Sequence, residues 1–268
     1  MLDNIDTLAA RVAPADARWT LRAVDEISET LGVRQDVAEA PQRSRDAGVM
    51  VSVTRRGGLG HAASADLSEA GLADAFARAA RMADAVAGRM VFVPEELPLA
   101  DARGRFDGAV SRPVHSTPLR ERLDALRAVC ASAHGDERIV DWAASVLAVE
   151  VSQLLLTSEG GRTEQRWHVT MPHVQATAHV NGVTQTRSSA GQYNGFCQQG
   201  GLEVLERADF AHEGARVAAE ALELAMAPPC PGGSMDVLLM PDQMMLQIHE
   251  SIGHPLELDR ILGDERNF

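Results

Sequence analysis

Along residues 15–31 apolar side chains recur at Trp19, Ala23, Ile27 and Leu31, with Leu21 and Val24 beside them, a roughly 3.6-residue period that stops at Gly32. The spacing predicts a helix there. From Gly48 to Thr54 the pattern turns to β-branched residues, and Arg55-Arg56-Gly57-Gly58 offers a hairpin before a second strand over 59–64. Asp66 and Ser68 can cap the Ala-rich stretch 67–86, whose apolar positions Leu72, Phe76, Ala79, Ala80 and Ala83 fit a second helix. Pro94, Pro98, Pro113 and Pro118 mark 93–118 as a crossover or long surface loop, and a third helix is expected over 119–133. Strand patterns then dominate 139–149, 151–157, 162–170 and 175–187. The turns at Glu159-Gly160-Gly161 and Asn181-Gly182 favour antiparallel hairpins.

A helix follows over 201–226 and is stopped by Pro228-Pro229-Cys230-Pro231-Gly232-Gly233. Met235 to Met240 reads as a short buried strand, and Pro241-Asp242 as the start of a last helix. The fold class expected is α+β, an antiparallel sheet with flanking helices, followed by the start of an incomplete C-terminal domain. The boundary falls at the Pro/Gly linker, giving a domain over 1–228 and the beginning of another over 229–268.

Charge narrows the function. Asp and Glu number 38 against 25 basic residues, every one an arginine, for a formal charge of -13. Such a surface repels a polyanion, so nucleic acid is not an expected partner. Without lysine there is no P-loop, Schiff-base or pyridoxal phosphate lysine. The acidic start Met1 to Asp6 is unlike a signal peptide, and no apolar run approaches about 18 residues, so the expectation is a cytoplasmic protein with no membrane partner. Cys130, Cys197 and Cys230 are too scattered for a disulfide framework. The run Arg55 to Gly60 lacks a dinucleotide-site context, and no organic-cofactor-binding residue is predicted.

The chemistry concentrates in His249-Glu250-Ser251-Ile252-Gly253-His254, an HExxxH sequence. In the commoner HExxH motif the histidines are four apart, about 40° round a helix, and reach one metal. Five apart, a regular helix separates them by about 140°. A π-type turn, or a helix ending at Gly253, brings His254 back beside His249. Gly253 and Pro255 suggest how, since Gly tolerates unusual backbone and Pro disfavours the α region for the residue before it. Glu250 would then flank a metal as general base for a bound water. On spacing alone, a metal site and two unrelated helix histidines are equally good readings.

The surroundings break that tie. The Pro/Gly linker, an apolar stretch ending Met240-Pro241-Asp242-Gln243, the HESIGH helix and the following Leu256-Glu257-x-Asp259 together resemble the TldD/PmbA family, whose metal-bearing members carry HExxxH and this L-E-x-D pattern. The order of elements upstream is similar too, including the GQYNGFCQQGG turn before a long helix. The resemblance implies a zinc-dependent peptidase acting on unfolded or extended peptides by metal-activated water. His249 and His254 match the family's two histidine ligands to Zn2+, and Glu250 its catalytic glutamate. It also implies a homo- or hetero-oligomer with a TldD/PmbA paralogue. The family draws a further cysteine ligand from well downstream, and no residue here matches it, so the chain is expected to be truncated after the motif. Glu257 is then a local carboxylate ligand or a residue just outside the ligand set. The alternative reading is a catalytically incomplete peptide-binding or scaffold subunit.

Other candidates have plainer readings. His168, His173 and His179 are expected as surface or hairpin histidines rather than a second metal site. His212-Glu213 reads as a solvated helix face. Met240, Met244 and Met245 suit core positions better than a peptide pocket. Ser188, Ser189 and Ser251 lack a GxSxG setting.

Overall fold

The computed structural model describes every residue except 1, 3, 190–195, 264 and 266–268, and the backbone alone of residue 242. A short helix, α1 (Ile5–Val12), precedes strands β1 (Arg18–Arg34), β2 (Val37–Ala38), β3 (Gln42–Arg55) and β4 (Gly58–Ser64). Helix α2 (Glu69–Val86), strand β5 (Arg103–Asp107) and helix α3 (Leu119–Ser132) lead to two long strands, β6 (Ile139–Thr157) and β7 (Arg162–Val180). Then come β8 (Val183–Ser188), β9 (Gln198–Gln199), α4 (Glu203–Arg207), α5 (Glu213–Met226), α6 (Pro241–Ile248) and α7 (Leu258–Leu262). The described strands form one sheet in the order β4-β3-β1-β6-β7-β5, with β2 on β1 and β8 and β9 on β7. Every pairing is antiparallel except β5 with β7. The expected antiparallel α+β fold is therefore what forms, with one parallel edge strand added from the proline-marked crossover.

The segment expected as the first helix is instead the strand β1, paired with β3 along one edge and with β6 along the other. Trp19, Ala23, Ile27 and Leu31 are spaced by four, an even number, so they lie on one face of a strand as readily as on one stripe of a helix. The alternation that decides is Leu21, Ala23, Leu31 and Val33, all buried. It is masked by Asp25 and Glu29, which share that face. Asp25 accepts from Arg45 Nε at 2.8 Å, a bond that holds its carboxyl below the usual range. Glu29 pairs with Arg122 of α3, and neither side chain is more than 11% exposed. Gly32 does not end the element; it sits inside the ladder opposite Ser145.

Helices α1, α2, α3 and α5 pack on this same face. One cluster joins Leu21, Ala23, Val49, Val51 and Val53 to Leu72, Phe76 and Ala79 of α2, with Trp19 edge-on to Phe76. A second joins Leu31, Val33, Val146 and Val174 to Leu126, Val129 and Cys130 of α3, and a third sets Ala176, Ala178 and Val180 against Val217 and Ala221 of α5. The β3–β4 hairpin turns as expected at Arg56 and Gly57, both at positive φ. Ser68 caps α2 by accepting from Gly71 N–H. Strands β6 and β7 run on through the expected breaks. At Pro172 only the edge toward β6 is paired, β9 ending at Val169 and Thr170 and β8 starting opposite Gln175, so the missing N–H costs no described ladder bond.

Two further expectations are corrected. The helix expected over 201–226 breaks at Asp209, which is left-handed at φ 48°, into α4, a short 3-10 turn at Phe210–His212, and α5. Phe210 stands five residues after Leu205, about 140° out of step on a continuous helix, and the break lets it reach the cluster under α3. Residues Met235–Met240 form no strand: they have no ladder partner among the described residues, and Leu238 is 85% exposed. The buried core stops at Ala225 among the described residues. Within the GQYNGFCQQGG turn, 191–195 lie outside the described residues, and Gln198–Gln199 pairs with β7. No described helix is long and apolar enough to cross a membrane.

Gly58 and Gly60 set how closely α2 lies on β4. A Cβ at Gly60 would stand 2.2 Å from the Ala79 carbonyl oxygen, which belongs to the backbone and cannot swing away. Gly60→Ala is expected to lower stability by about 2–3 kcal/mol in urea unfolding, through forced separation of helix and strand. Glu203 ties the crossover to β9: its carboxylate accepts from the N–H groups of Ser111, Arg112 and Gly201 at 3.0–3.1 Å. Burial opposes the charge, yet these bonds prevail and bring the carboxyl from its ordinary 4.5 to about 2. Because the folded value is the lower one, the bonds contribute fully above about pH 4.5 and are lost as pH falls through about 2. Glu203→Gln should therefore flatten the acid limb of a stability–pH profile in that window.

Candidate metal centre

Pro241 occupies the first turn of α6, where its missing N–H is no loss, and the helix runs to Ile248. It then widens into a π turn over His249–Gly253, closed by the His254 N–H donating to the His249 carbonyl five residues back. A 3-10 turn over His254–Leu256 follows. Neither cause expected from the sequence operates as stated. Gly253 sits at φ -61°, ψ -58°, and His254 at φ -61°, ψ -43°, both ordinary right-handed values. A Cβ at Gly253 would meet nothing closer than the Ile248 carbonyl oxygen at 3.6 Å. What remains is the absence of an N–H on Pro255: it cannot close an α turn onto the Ser251 carbonyl, so the helix is free to close on the wider ring before it.

That turn rotates His254 to the side of His249. The ring centroids stand 4.4 Å apart at 70°. Glu250 reaches between them, Oε1 3.8 Å from His249 Nε2 and Oε2 3.8 Å from His254 Nε2. One ligand atom from each of the three residues lies within 4.8 Å of the others, and no other described group of three His, Cys, Asp or Glu meets that distance. Two imidazoles with a carboxylate beside them are donor chemistry that suits a divalent ion such as Zn2+. His249 and Glu250 are more than half exposed, whereas His254 is 27% exposed and bonds through Nδ1 to Glu257 Oε1 at 2.8 Å. Arg260, which the sequence reading missed, pairs with the other oxygen of Glu257; its spacing of three from Glu257 was the available signal.

The other candidates do not converge. His168, His173 and His179 all lie on β7, but His168 faces the helices while the other two alternate to the far side. His173 is held below the ordinary histidine range by desolvation, and His179 bonds to Thr184. Exposed His212 is raised by its bond to Asp209. Met240 and Met245 are exposed rather than core. Ser251 accepts from Gln247, and Ser189 from the Val174 N–H. Cys130 is buried, and burial pushes its thiol up; Cys197 and Cys230 are exposed and free.

A helix-covered antiparallel sheet followed by an imidazole–carboxylate cluster on a π turn defines the class: an α+β protein with a candidate metal centre. Residues 19–83 match PmbA/TldA metallopeptidase domain 1, in line with the family resemblance expected from the sequence. A metalloprotease of Methanothermobacter thermautotrophicus is 29% identical over 256 residues, 95% of this chain and 53% of that protein. A metalloprotease of Methanocaldococcus jannaschii is 29% identical over 133 residues, 50% of this chain and 28% of its own. The chain spans about half the length of the first of these relatives. A Thermotoga maritima protein named as a modulator of a DNA gyrase shares the fold, with a TM-score of 0.60 at 15% identity, over 87% of this chain and 50% of that one.

If Pro255 rather than Gly253 makes the turn, Gly253→Ala should keep zinc affinity within about twofold, Ala being the better helix former. Pro255→Ala restores the N–H and should weaken it. Calorimetric zinc titration of both variants checks the pair.

Proposed function

We propose that this chain is the N-terminal part of a zinc-dependent peptidase that hydrolyses unfolded or extended peptides. The observation that carries the reading is the π turn that sets His249, Glu250 and His254 within 4.8 Å of one another. His249 and His254 hold the ion. Zinc so bound supplies Lewis-acid polarisation of a carbonyl and a lowered pKa for water. Glu250, between the two imidazoles, takes the proton from the attacking water on a carboxylate oxygen and returns it to the leaving amine. The relatives named metalloproteases support the reaction class.

Residues 1–228 form the supporting domain in this reading, and 229–268 open the metal-bearing one. Val237, Leu238, Ile252, Leu256 and Leu258 are each more than half exposed in the segment that carries the site, which supports work within an assembly, as a homo- or hetero-oligomer with a TldD/PmbA paralogue. That same exposure favours a second reading, a peptide-binding or scaffold subunit without activity of its own. The net charge of -13 argues against nucleic acid as partner, and the composition suits the cytoplasm.

Glu250→Gln should retain zinc and lower cleavage of an unstructured peptide by about 10²–10⁴-fold, while His249→Ala should lose both. Zinc titration beside a peptide-cleavage assay reads this. Cleavage unchanged in both variants sinks the mechanism; zinc binding without cleavage in the wild type leaves the subunit reading.

A further inference from the structure

We propose that Glu257 is a positioning residue for His254: anchored by Arg260, it keeps the imidazole proton on Nδ1 and leaves Nε2 to face the metal. The inference rests on the metal-dependent reading above. A carboxylate offers no proton, so in the 2.8 Å contact His254 Nδ1 donates and Glu257 Oε1 accepts. A neutral imidazole holds one proton, and the lone pair then lies on Nε2, the nitrogen 3.8 Å from Glu250 Oε2. Glu257 Oε1 contacts the opposite edge of the ring from the cluster, which makes Glu257 the orienting partner and not a third ligand.

Two details show that this contact is built. Glu257 occupies the N-cap position of α7, with φ -64° and ψ 138°, yet its side chain makes no cap bond to the helix. A side-chain oxygen there ordinarily accepts from the first backbone N–H groups; this one accepts from an imidazole instead. Its second oxygen, Oε2, is 3.1 Å from Arg260 Nε, and the Arg260 side chain is only 9% exposed although the surrounding segment is open. Arg260, Glu257 and His254 are thus spaced by three residues along one path, the buried guanidinium forming an ion pair with the carboxylate that is hydrogen-bonded to the ring. Such outer partners typically set ligand orientation and tautomer and are worth about 10–100-fold in metal affinity.

The test uses the full 268-residue chain with zinc alone as probe, in competition with a chromophoric chelator. Glu257→Leu should weaken zinc binding about 10–100-fold, and Glu257→Gln, whose amide oxygen still accepts from Nδ1, by about tenfold at most. Long-range ¹⁵N–¹H spectra of the metal-free chain at about pH 8 give the second readout. They should find His254 as the Nδ1–H tautomer in the wild type and in Glu257→Gln, and shifted toward Nε2–H in Glu257→Leu. A Glu257→Leu variant that binds zinc as tightly as the wild type while His249→Ala does not, or a wild-type His254 protonated on Nε2, overturns the proposal. A wild-type chain that binds no zinc overturns the metal reading instead, and the tautomer still decides the role of Glu257. Should Glu257→Leu fail to fold, Arg260→Gln replaces it with the same expected direction.

Discussion

Strand β1 is hydrogen-bonded along both edges, to β3 over residues 18–30 and to β6 over residues 20–34, and the packing of the sheet refers to it. Its buried face presents Leu21 and Ala23 to α2 and Leu31 and Val33 to α3. Between these apolar ends lie Asp25 and Glu29, which that face can hold only because Arg45 and Arg122 meet them there. The pair Glu29–Arg122 is directional where apolar contacts are not, so it fixes α3 along the strand. Gly58 and Gly60 do the corresponding work for α2 by removing the side chains that would keep it off β4.

Those same charges explain which parts of the fold are legible in the sequence. Where apolar alternation is sustained and turns carry Gly or Asn, as in β3–β4 and β6–β8, the pattern finds the strands and their hairpins, though β6 and β7 are each longer than the pattern divides them. In β1 two acids occupy inward positions, and the remaining apolar residues, spaced by four, satisfy both periods. Nothing local separates them; the answer comes from β6, more than a hundred residues away. The break at Asp209 is hidden for a related reason, because Leu205 and Phe210 each suit a helix and only the cluster beneath α3 demands that they point together. Residues 235–240 err the other way: a mostly apolar run makes a strand only if an edge is there to receive it, and none of the described strands does.

The candidate site is legible to a different degree. That the helix widens or stops follows from counting: imidazoles five positions apart cannot serve one ion on a regular α-helix, and the structure takes the wider turn. The cause does not follow from counting. Gly253 and His254 keep ordinary dihedrals, so the turn uses no conformation that only Gly permits, and the N–H that Pro255 lacks is the local difference that remains. Arg260 escaped notice because its role depends on Glu257 turning away from the helix it precedes, which spacing alone does not reveal.

The contacts described for the cluster lie within twelve positions of chain, from His249 to Arg260. One backbone bond spanning five residues sets the two rings side by side, and two contacts spanning three residues each hold His254 and Glu257. None of these draws on the sheet, whose core stops at Ala225. The two halves therefore meet different physical demands. The sheet must exclude water from a single face over its whole width, and it does so with long ladders and four helices. The cluster must hold three polar side chains at fixed angles while water still reaches them, and closed hydrogen-bonded rings in the backbone achieve that without burial. Orientation comes from the turn and from Arg260. On the proposed function, the low-dielectric surroundings that strengthen acid–base chemistry would come from whatever covers Ile252, Leu256 and Leu258, each more than half exposed here.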